Sequence, residues 1–178
     1  MAFDLQPTLR GESLTLHPLR AGDYELLYAV ASDPLIWELH PANDRWKAGV
    51  FREFFRTAME SGGAFIVIDN QDGRAIGSTR YHGYDEVKSE IEIGWTFLAR
   101  SHWGGAHNRE MKGMMLRHAF QFVNSVIFRV GAYNYRSRRA MEKIGGVLIG
   151  SGLDAAGREG VVYQITPATF FGSAKREG

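Results

Sequence analysis

Apolar residues follow two different spacings along the chain, and these spacings predict short strands separated by helices. Alternating or continuous apolar runs predict strands over 13–19, 64–69, 74–84, 89–98, 125–130, 147–149 and 161–165. Apolar residues at helical spacing predict a short helix beginning after Asp23, and further helices over 46–60, 108–123 and 137–144. The order β-α-α-β-β-β-α-β-α-β-β predicts a mixed α/β sheet, because a doubly wound fold would alternate strands and helices regularly.

Length and composition agree with one folded unit. A chain of 178 residues is long enough for one domain with a sizeable core. We predict a single domain over 1–178, with a core from about residue 10 to 166 and a short C-terminal tail. The hydrophobic share of 44% argues against disorder. Cysteine is absent, which excludes disulfides, thiolate metal ligands and a cysteine nucleophile.

The charge balance and the apolar runs limit the partners. Lys and Arg number 21 against 20 Asp and Glu, a formal net charge of +1, whereas nucleic-acid-binding proteins normally carry a larger basic surplus. The basic segment Arg136–Lys143 would otherwise predict strongly salt-dependent binding. No apolar run approaches a membrane span, and no signal peptide is visible. The six histidines lack metal-ligand spacing with carboxylates. We expect a cytoplasmic protein without nucleic acid, membrane or metal partners.

The segment 101–106 carries the strongest signal for a ligand. Ser101-His102-Trp103-Gly104-Gly105-Ala106 joins a predicted strand directly to a long predicted helix. Adjacent glycines allow close approach of the backbone, and a helix N-terminus presents unpaired N–H donors, so the segment suits a phosphate or pyrophosphate. A plain glycine-rich turn is the alternative. The segment matches neither a P-loop nor the dinucleotide fingerprint.

Two motifs at this spacing resemble those of the GNAT superfamily of N-acyltransferases. Glu92-Ile93-Gly94-Trp95-Thr96, Trp103-Gly104-Gly105-Ala106 and Asn108-Arg109-Glu110-Met111-Lys112 resemble its central motif, and residues 134–145 resemble the motif that follows. The resemblance covers about residues 10 to 166 and is greatest to the RimJ/RimL-like branch. It implies the GNAT acyl-CoA N-acyltransferase fold. It also implies transfer of an acetyl group from acetyl-CoA to a primary amine, by direct attack in a ternary complex.

The resemblance also implies which residues hold acetyl-CoA. Gly104 and Ala106 match the family's conserved small positions, whereas Ser101 stands where the family has Gln or Arg, and Arg100 would have to compensate. The strand end before the loop would bind the pantetheine arm through its backbone. The predicted cofactor-binding residues are Thr96, Phe97, Leu98, Trp103, Gly104, Gly105, Ala106, His107, Asn108, Arg109, Asn134 and Arg139.

A carboxylate is needed to accept the proton of the attacking amine, and Glu92 is the predicted base. It stands where many relatives place a glutamate, with Glu90 as second choice. On a regular strand Glu90 and Glu92 share one face, while Ile91, Ile93 and Trp95 share the other. An α-amino group, with a pKa of about 7.7–8.0, needs less help than a lysine amine. The alternative is that both carboxylates face solvent.

The acid that protonates the leaving thiolate is harder to assign. Many members of the family place a tyrosine at the position of Met141, which cannot donate a proton. Ser137 is the predicted donor, followed by Tyr133 and Tyr135, and a helix N-cap is the alternative role for Ser137.

The resemblance also implies that the run His40–Trp46, which joins the first two helical segments, lines the acceptor site. The residues expected to line it are Trp37, Trp46, Tyr81 and Glu90, with core packing as the alternative for the aromatic ones. The acceptor would be a protein N-terminus, an amino acid or a small amine.

The departures at Ser101 and Met141 leave a second function open. In this alternative the domain binds CoA with little catalysis and acts as a sensor or interaction module. The segment Phe170-Phe171 and the last strands would suit a homodimer.

Overall fold

The computed structural model describes residues 2–154 and 156–174, which form one mixed sheet with helices on both faces. The strands are β1 (Leu9–Arg10), β2 (Leu14–Pro18), β3 (Ala64–Asp69), β4 (Ala75–Asp85), β5 (Glu90–Leu98), β6 (Ser125–Gly131), β7 (Val147–Leu153) and β8 (Glu159–Ile165). The helices are α1 (Tyr24–Ala31), α2 (Ala48–Ser61), α3 (Ala106–Ala119), α4 (Tyr135–Lys143) and α5 (Pro167–Ala174). Short 3₁₀ turns lie at Ala21–Asp23, Pro34–Ile36 and Arg100–His102.

The sheet order is β1-β2-β3-β4-β5-β6-β8-β7. Neighbouring strands are antiparallel except β5 and β6, which run parallel and are connected through α3. The predicted mixed α/β fold is confirmed, and the predicted elements occur in the predicted order. Among the described residues, no helix has the length and apolar character needed to span a bilayer.

Several elements differ from the prediction, among them β7, which continues to Leu153 and not only to residue 149. The two-residue β1 carries too short a pattern to be seen in the sequence. Helix α3 ends at Ala119, four residues before the predicted end, because Val123 is buried by the turn that follows and continues the apolar pattern without being helical. The predicted tail forms α5, whose Phe170 packs against Phe120. Burial of Phe170 within the same chain thus explains part of the apolar tail.

The core has two layers, one on each face of the sheet. The layer beneath α3 and α4 contains Met111 and Met115, together with inward-facing residues of seven strands. The layer beneath α1 and α2 contains Leu27, Phe51 and Trp37. We refer to these as the α3–α4 layer and the α1–α2 layer.

A β-bulge interrupts β5. The strand places two residues, Trp95 and Thr96, opposite the single residue Thr79 of β4. Trp95 adopts a φ of +51°, which is unusual for a residue with a large side chain. Bulges bend a strand and increase its twist, so β5 turns away from its original direction here.

The bulge also exchanges the two faces of β5. Before it, Ile91 and Ile93 lie in the α3–α4 layer; after it, Trp95 and Phe97 pack in the α1–α2 layer. The predicted common face of Ile91, Ile93 and Trp95 is therefore wrong for Trp95. One extra residue shifts the two-residue period by one position and sends every later side chain to the opposite face.

Gly77 of β4 allows β5 to approach closely just beyond the bulge. It pairs with Leu98, and a Cβ added at position 77 would collide with the carbonyl oxygen of Phe97. The missing side chain is thus required for the contact between the two strands.

We expect Gly77→Ala to lower the free energy of unfolding by about 1–3 kcal/mol, because the methyl group has to push β4 and β5 apart. Gly150→Ala on β7 is the matched control, since nothing lies within 4 Å of its added Cβ. Urea denaturation of both variants measures the difference. Equal unfolding midpoints for the two variants would show that the strands tolerate the methyl group.

Candidate functional site

Strands β5 and β6 pair over only three positions and then separate. Glu90, Ile91 and Glu92 pair with residues 125–127, whereas beyond them the described parts of the two strands do not pair with each other. β6 continues to pair with β8 on its other edge through Gly131. We call the opening between residues 93–98 of β5 and 128–131 of β6 the cleft. Backbone groups on its edges are available to hydrogen-bond a ligand.

The N-terminus of α3 forms an open cradle. Gly104 and Gly105 have φ values of +108° and +114°, which disfavour residues with a side chain, and nothing lies within 4 Å of a Cβ added at either. In the described structure no side chain caps α3 at Gly105. The first N–H groups of the helix, from Ala106 to Asn108, have no acceptor within the helix. This geometry suits an anion such as a pyrophosphate.

Buried hydrogen bonds fix the segment before the cradle. His102 Nε2 lies 2.7 Å from Asp69 Oδ2 at the end of β3, and both side chains are nearly covered. The hydrogen bond from His102 holds the pKa of the Asp69 carboxyl below its usual range. Trp103 Nε1 donates to the carbonyl oxygen of Leu98 at 3.0 Å. The cradle is therefore attached to both β3 and β5.

Arg100 does not compensate for Ser101 as predicted. Its Nε lies 2.5 Å from Asp33 Oδ2, so its guanidinium binds the segment that follows α1. Ser101 Oγ lies 2.8 Å from His102 Nδ1. Both side chains are therefore used to hold the loop in place.

The first turn of α4 lies across from the cradle. Asn134 is the N-cap of this helix, since its Oδ1 accepts a hydrogen bond from the Ser137 backbone N–H at 3.3 Å. The alternative N-cap role of Ser137 is thus wrong. The Arg136 guanidinium lies 3.7 Å from the centroid of the Trp103 ring, which connects α4 to the loop. Arg139 is exposed.

Sequence reasoning missed a buried lysine at the cleft. Lys112 on α3 is 3% exposed, and its Nζ donates to Thr96 Oγ1 at 2.7 Å. The same Nζ lies 5.4 Å from the centroid of the Phe128 ring. Thr96 belongs to β5 and Phe128 to β6, both beyond the last paired positions, so the ammonium group lies between the two walls of the cleft.

No carboxylate of the described residues forms an ion pair with Lys112, and burial alone lowers its pKa to about 7. The sequence contains a signal that could have revealed this burial. Met115, Leu116 and Ala119 follow Lys112 at i+3, i+4 and i+7, which places the lysine on the apolar face of the helix.

Glu92 lies on the opposite face of the sheet from Lys112. Its Oε2 is 3.4 Å from Arg129 Nε. Burial raises the pKa of the Glu92 carboxyl, and the nearby Arg129 partly opposes the shift. Gly94 is next on the same face, and a Cβ there would lie 3.7 Å from Glu92 Oε1, so its missing side chain leaves space beside the carboxylate. Glu90 instead accepts a hydrogen bond from Ser125 at the closed end of the strands.

The predicted aromatic wall does not form as one surface. Tyr81 is fully buried in the α3–α4 layer and donates to the Met115 carbonyl oxygen at 2.5 Å. Trp37 is buried in the α1–α2 layer, with its Nε1 donating to the Ala31 carbonyl oxygen. Trp46 is 36% exposed. The prediction for Tyr81 is wrong because strand alternation directs it to the face opposite Glu92.

Two arginines without acidic partners occupy the α1–α2 side. The guanidinium groups of Arg45 and Arg80 lie 5.0 and 5.1 Å from the centroid of the Phe54 ring. Arg80 is 3% exposed and also lies 4.7 Å from the Trp95 ring centroid. Burial lowers the pKa of each arginine to about 10, so both stay charged at neutral pH. Neither forms an ion pair with a carboxylate of the described residues.

A cavity of about 320 Å³ opens near Arg45. Arg45 Nη1 lies 3.4 Å from His40 Nε2, and His40 lines the cavity together with residues from the end of β6 and the start of β8. Its lining residues are Glu38, Leu39, His40, Pro41, Asn43, Gly131, Ala132, Tyr133, Arg158 and Glu159. Part of the segment expected near the acceptor site therefore lines a cavity, whereas Trp46 does not.

Comparison with known proteins agrees with this geometry. Residues 13–147 match the family model of the acetyltransferase (GNAT) domain. No curated protein sequence matches the chain significantly. The fold is similar to a GCN5-related N-acetyltransferase from Brucella melitensis, with a TM-score of 0.79 and 20% identity over 96% of this chain and 83% of that one.

Two further similar structures are described with CoA. One is Mycobacterium smegmatis RimJ in complex with CoA-disulfide, with a TM-score of 0.72 and 18% identity over 97% of this chain and 93% of that one. The other is spermidine N-acetyltransferase from Vibrio cholerae in complex with CoA and spermine, with a TM-score of 0.67 and 17% identity over 90% and 99% of the two chains. The chain belongs to the GNAT acetyltransferase family, and acyl transfer is the general chemistry that this membership supports.

The lowered pKa of Lys112 predicts a pH-dependent stability. In the folded protein the ammonium loses its proton at about pH 7, whereas the unfolded chain keeps it until about 10.5. Between these values the unfolded state binds more protons, so the free energy of unfolding rises with pH by about 1 kcal/mol per unit. Lys112→Met lacks this contribution.

We expect Lys112→Met to be more stable than the wild type below pH 7, with the difference shrinking as the pH approaches 10. Denaturant unfolding at several pH values measures it, and Lys143→Met at an exposed position is the control. Parallel stability curves for the wild type and Lys112→Met would contradict the burial of an uncompensated ammonium group.

Proposed function

We propose that the protein transfers an acetyl group from acetyl-CoA to a primary amine by direct attack within a ternary complex. The observation that carries the proposal is the open cradle at the N-terminus of α3, placed next to the cleft where β5 leaves β6. A phosphate-binding helix end and an opening through the sheet are what an acyl-CoA needs in order to reach an acceptor on the other face.

The residues around the cradle fit CoA. The N–H groups of Ala106, His107 and Asn108 would hold the pyrophosphate, because Gly104 and Gly105 leave the space in front of them open. His107 and Arg109 add polar and positive groups to the same turn. The proposal that acetyl-CoA itself is the donor is supported by the CoA described in two similar structures.

The cleft and α4 would hold the rest of the molecule. The backbone of residues 96–98 would hydrogen-bond the pantetheine arm. Asn134 is buried beside the cleft end of β6, and Arg139 is exposed on α4. Bound acetyl-CoA supplies an acetyl group activated as a thioester.

Glu92 is the proposed base. It is half-buried on the face of the sheet that carries Arg80 and Trp95, and Gly94 leaves space beside its carboxylate. In its ionised form it accepts a proton from the attacking amine, directly or through water. Ser137 stays a prediction for the acid, located in the first turn of α4.

The acceptor side is proposed at the cavity near His40 and Arg45. A protein N-terminus, an amino acid or a small amine are the classes to test, in keeping with a RimJ/RimL-like assignment supported by one similar structure. The test panel should pair each amine with an anionic analogue, because Arg45 and Arg80 lie on this side of the sheet while Glu38 and Glu159 line the cavity. A cytoplasmic location and a homodimer stay predictions.

Gly104→Glu tests the cradle. Calorimetric titration of the wild type with acetyl-CoA and CoA should give dissociation constants on the order of micromolar, and the variant should bind at least about tenfold more weakly because it places a carboxylate in the anion site. Gly73→Glu is the matched control, since Gly73 also has a positive φ and open space around it. Absence of binding by the wild type would overturn the proposed function.

Glu92→Gln tests the base. With an acceptor from the panel, kcat should fall about 100-fold or more while CoA affinity stays unchanged. The wild-type rate should fall as the pH drops through the pKa of Glu92, which burial raises, because the protonated carboxyl cannot accept a proton. Glu86→Gln, at an exposed position in the turn between β4 and β5, is the control.

A rate for Glu92→Gln equal to the wild type would rule out Glu92 as the base. CoA binding without turnover on any amine would favour the alternative, a GNAT-like sensor or interaction module.

A further inference from the structure

The cleft contains one ammonium group that the proposed mechanism has not used. Lys112 Nζ reaches the α3–α4 side of the opening, between Thr96 on β5 and Phe128 on β6. In the proposed complex the thioester has to lie in this same opening, because the acetyl group must meet an amine near Glu92 on the other face. The sulfur would therefore lie between Glu92 and the side of the sheet that carries Lys112.

The position on α4 where many members of the family carry a proton-donating tyrosine holds a methionine in this chain. Met141 stands there, is 4% exposed and packs in the α3–α4 layer, so it can neither donate a proton nor admit a water molecule easily. Lys112 lies in the same layer, on the helix opposite.

We propose that Lys112, in place of the predicted Ser137, is the catalytic acid that protonates the CoA sulfur as it leaves. This inference rests on the proposed acetyl transfer. The location of Nζ between the two cleft walls carries it, together with the absence of a proton donor at Met141.

The proton balance is complete with the groups present. The nitrogen lone pair of the amine forms the C–N bond, the C–S bond breaks, and the sulfur keeps its electron pair. That pair takes a proton from the Lys112 ammonium, while the amine gives its own proton to Glu92. Lys112 regains a proton and Glu92 loses one to water before the next turnover.

The groups around Lys112 allow this role. On the α3–α4 side, the Tyr81 hydroxyl is bound to the Met115 carbonyl, and the Tyr163 hydroxyl is bound to Arg138 and Glu142. On α3 itself, Glu110 accepts a hydrogen bond from the Ser13 backbone.

Strands β5 and β6, which contact Lys112, carry two further charged side chains near the cleft. Glu92 and Arg129 pair with each other on the other face of the sheet. Lys112 thus has no acidic partner among the described residues that would hold its proton. Its pKa of about 7 makes the ammonium a better donor than an ordinary lysine near neutral pH.

A solely structural role would be to hold the bulge through Thr96. The two roles differ in what they do to a bound thiol. A cationic group beside the sulfur favours the thiolate and lowers the pKa of the thiol, whereas a cationic group directed only at Thr96 leaves that pKa unchanged.

The test is a pH titration of CoA bound to the wild type, to Lys112→Met and to Lys112→Arg, followed by the ultraviolet absorbance of the thiolate. Complexes with S-methyl-CoA supply the tyrosine background. We expect the thiolate to form at least one pH unit lower in the Lys112→Arg complex than in the Lys112→Met complex, because a guanidinium stays charged where the thiol titrates. The wild-type complex should titrate close to Lys112→Met, because its ammonium, with a pKa of about 7, has already lost its proton there.

Turnover gives the second readout. With an acceptor from the panel, Lys112→Met should lower kcat about 100-fold, and Lys112→Arg should lower it to a similar extent, because a guanidinium near the sulfur is a poor proton donor. Affinity for CoA should stay within about threefold in both variants.

The outcomes separate the two proposals. Identical thiol titrations in Lys112→Arg and Lys112→Met, with CoA bound to both, would overturn the role of Lys112 and leave the proposed function intact. Failure of the wild type to bind CoA would overturn the proposed function itself. Unchanged kcat in Lys112→Met would reject proton donation even if the thiol pKa had shifted.

Discussion

The separation of β5 from β6 after Glu92 is the constraint around which the site is organised. Two parallel strands that stayed paired would seal the sheet, and its two faces would have no passage between them. The bulge at Trp95 and Thr96 bends β5 away, while β6 keeps its partner β8 and stays in place. The cradle at α3, the carboxylate of Glu92 and the ammonium of Lys112 all lie around that opening.

The opening is stabilised by polar groups that a closed sheet would not need. Thr79 and Thr96 hydrogen-bond across the bulge, and Lys112 donates to the same Thr96 hydroxyl. Burying an ammonium without a carboxylate destabilises the fold. This cost to stability lies at the place where we propose that the charge acts.

The sequence was sufficient for the order of all elements except β1 and α5 and for the glycine pair before α3, because strands, helices and glycine pairs each leave a local pattern. The sequence did not predict which face of the sheet the side chains of β5 join beyond residue 94. The bulge adds one residue without any signal in the alternation, so Trp95 changes face. Lys112 was missed because lysine is usually exposed, although its spacing to Leu116 already placed it on the apolar face. Tyr81 was assigned to the acceptor side because aromatic content alone does not say which layer a residue joins.

Because β5 and β6 pair over only three positions, the sheet consists of two blocks of strands with few hydrogen bonds between them. The antiparallel strands β1 to β5 form one block and the strands β6 to β8 form another, joined within the sheet by three residue pairs and otherwise by α3 and the core beneath it. Amide protons at such a seam exchange by local opening rather than by global unfolding. The two blocks can therefore act as separate cooperative units, joined within the sheet at the place where chemistry is proposed.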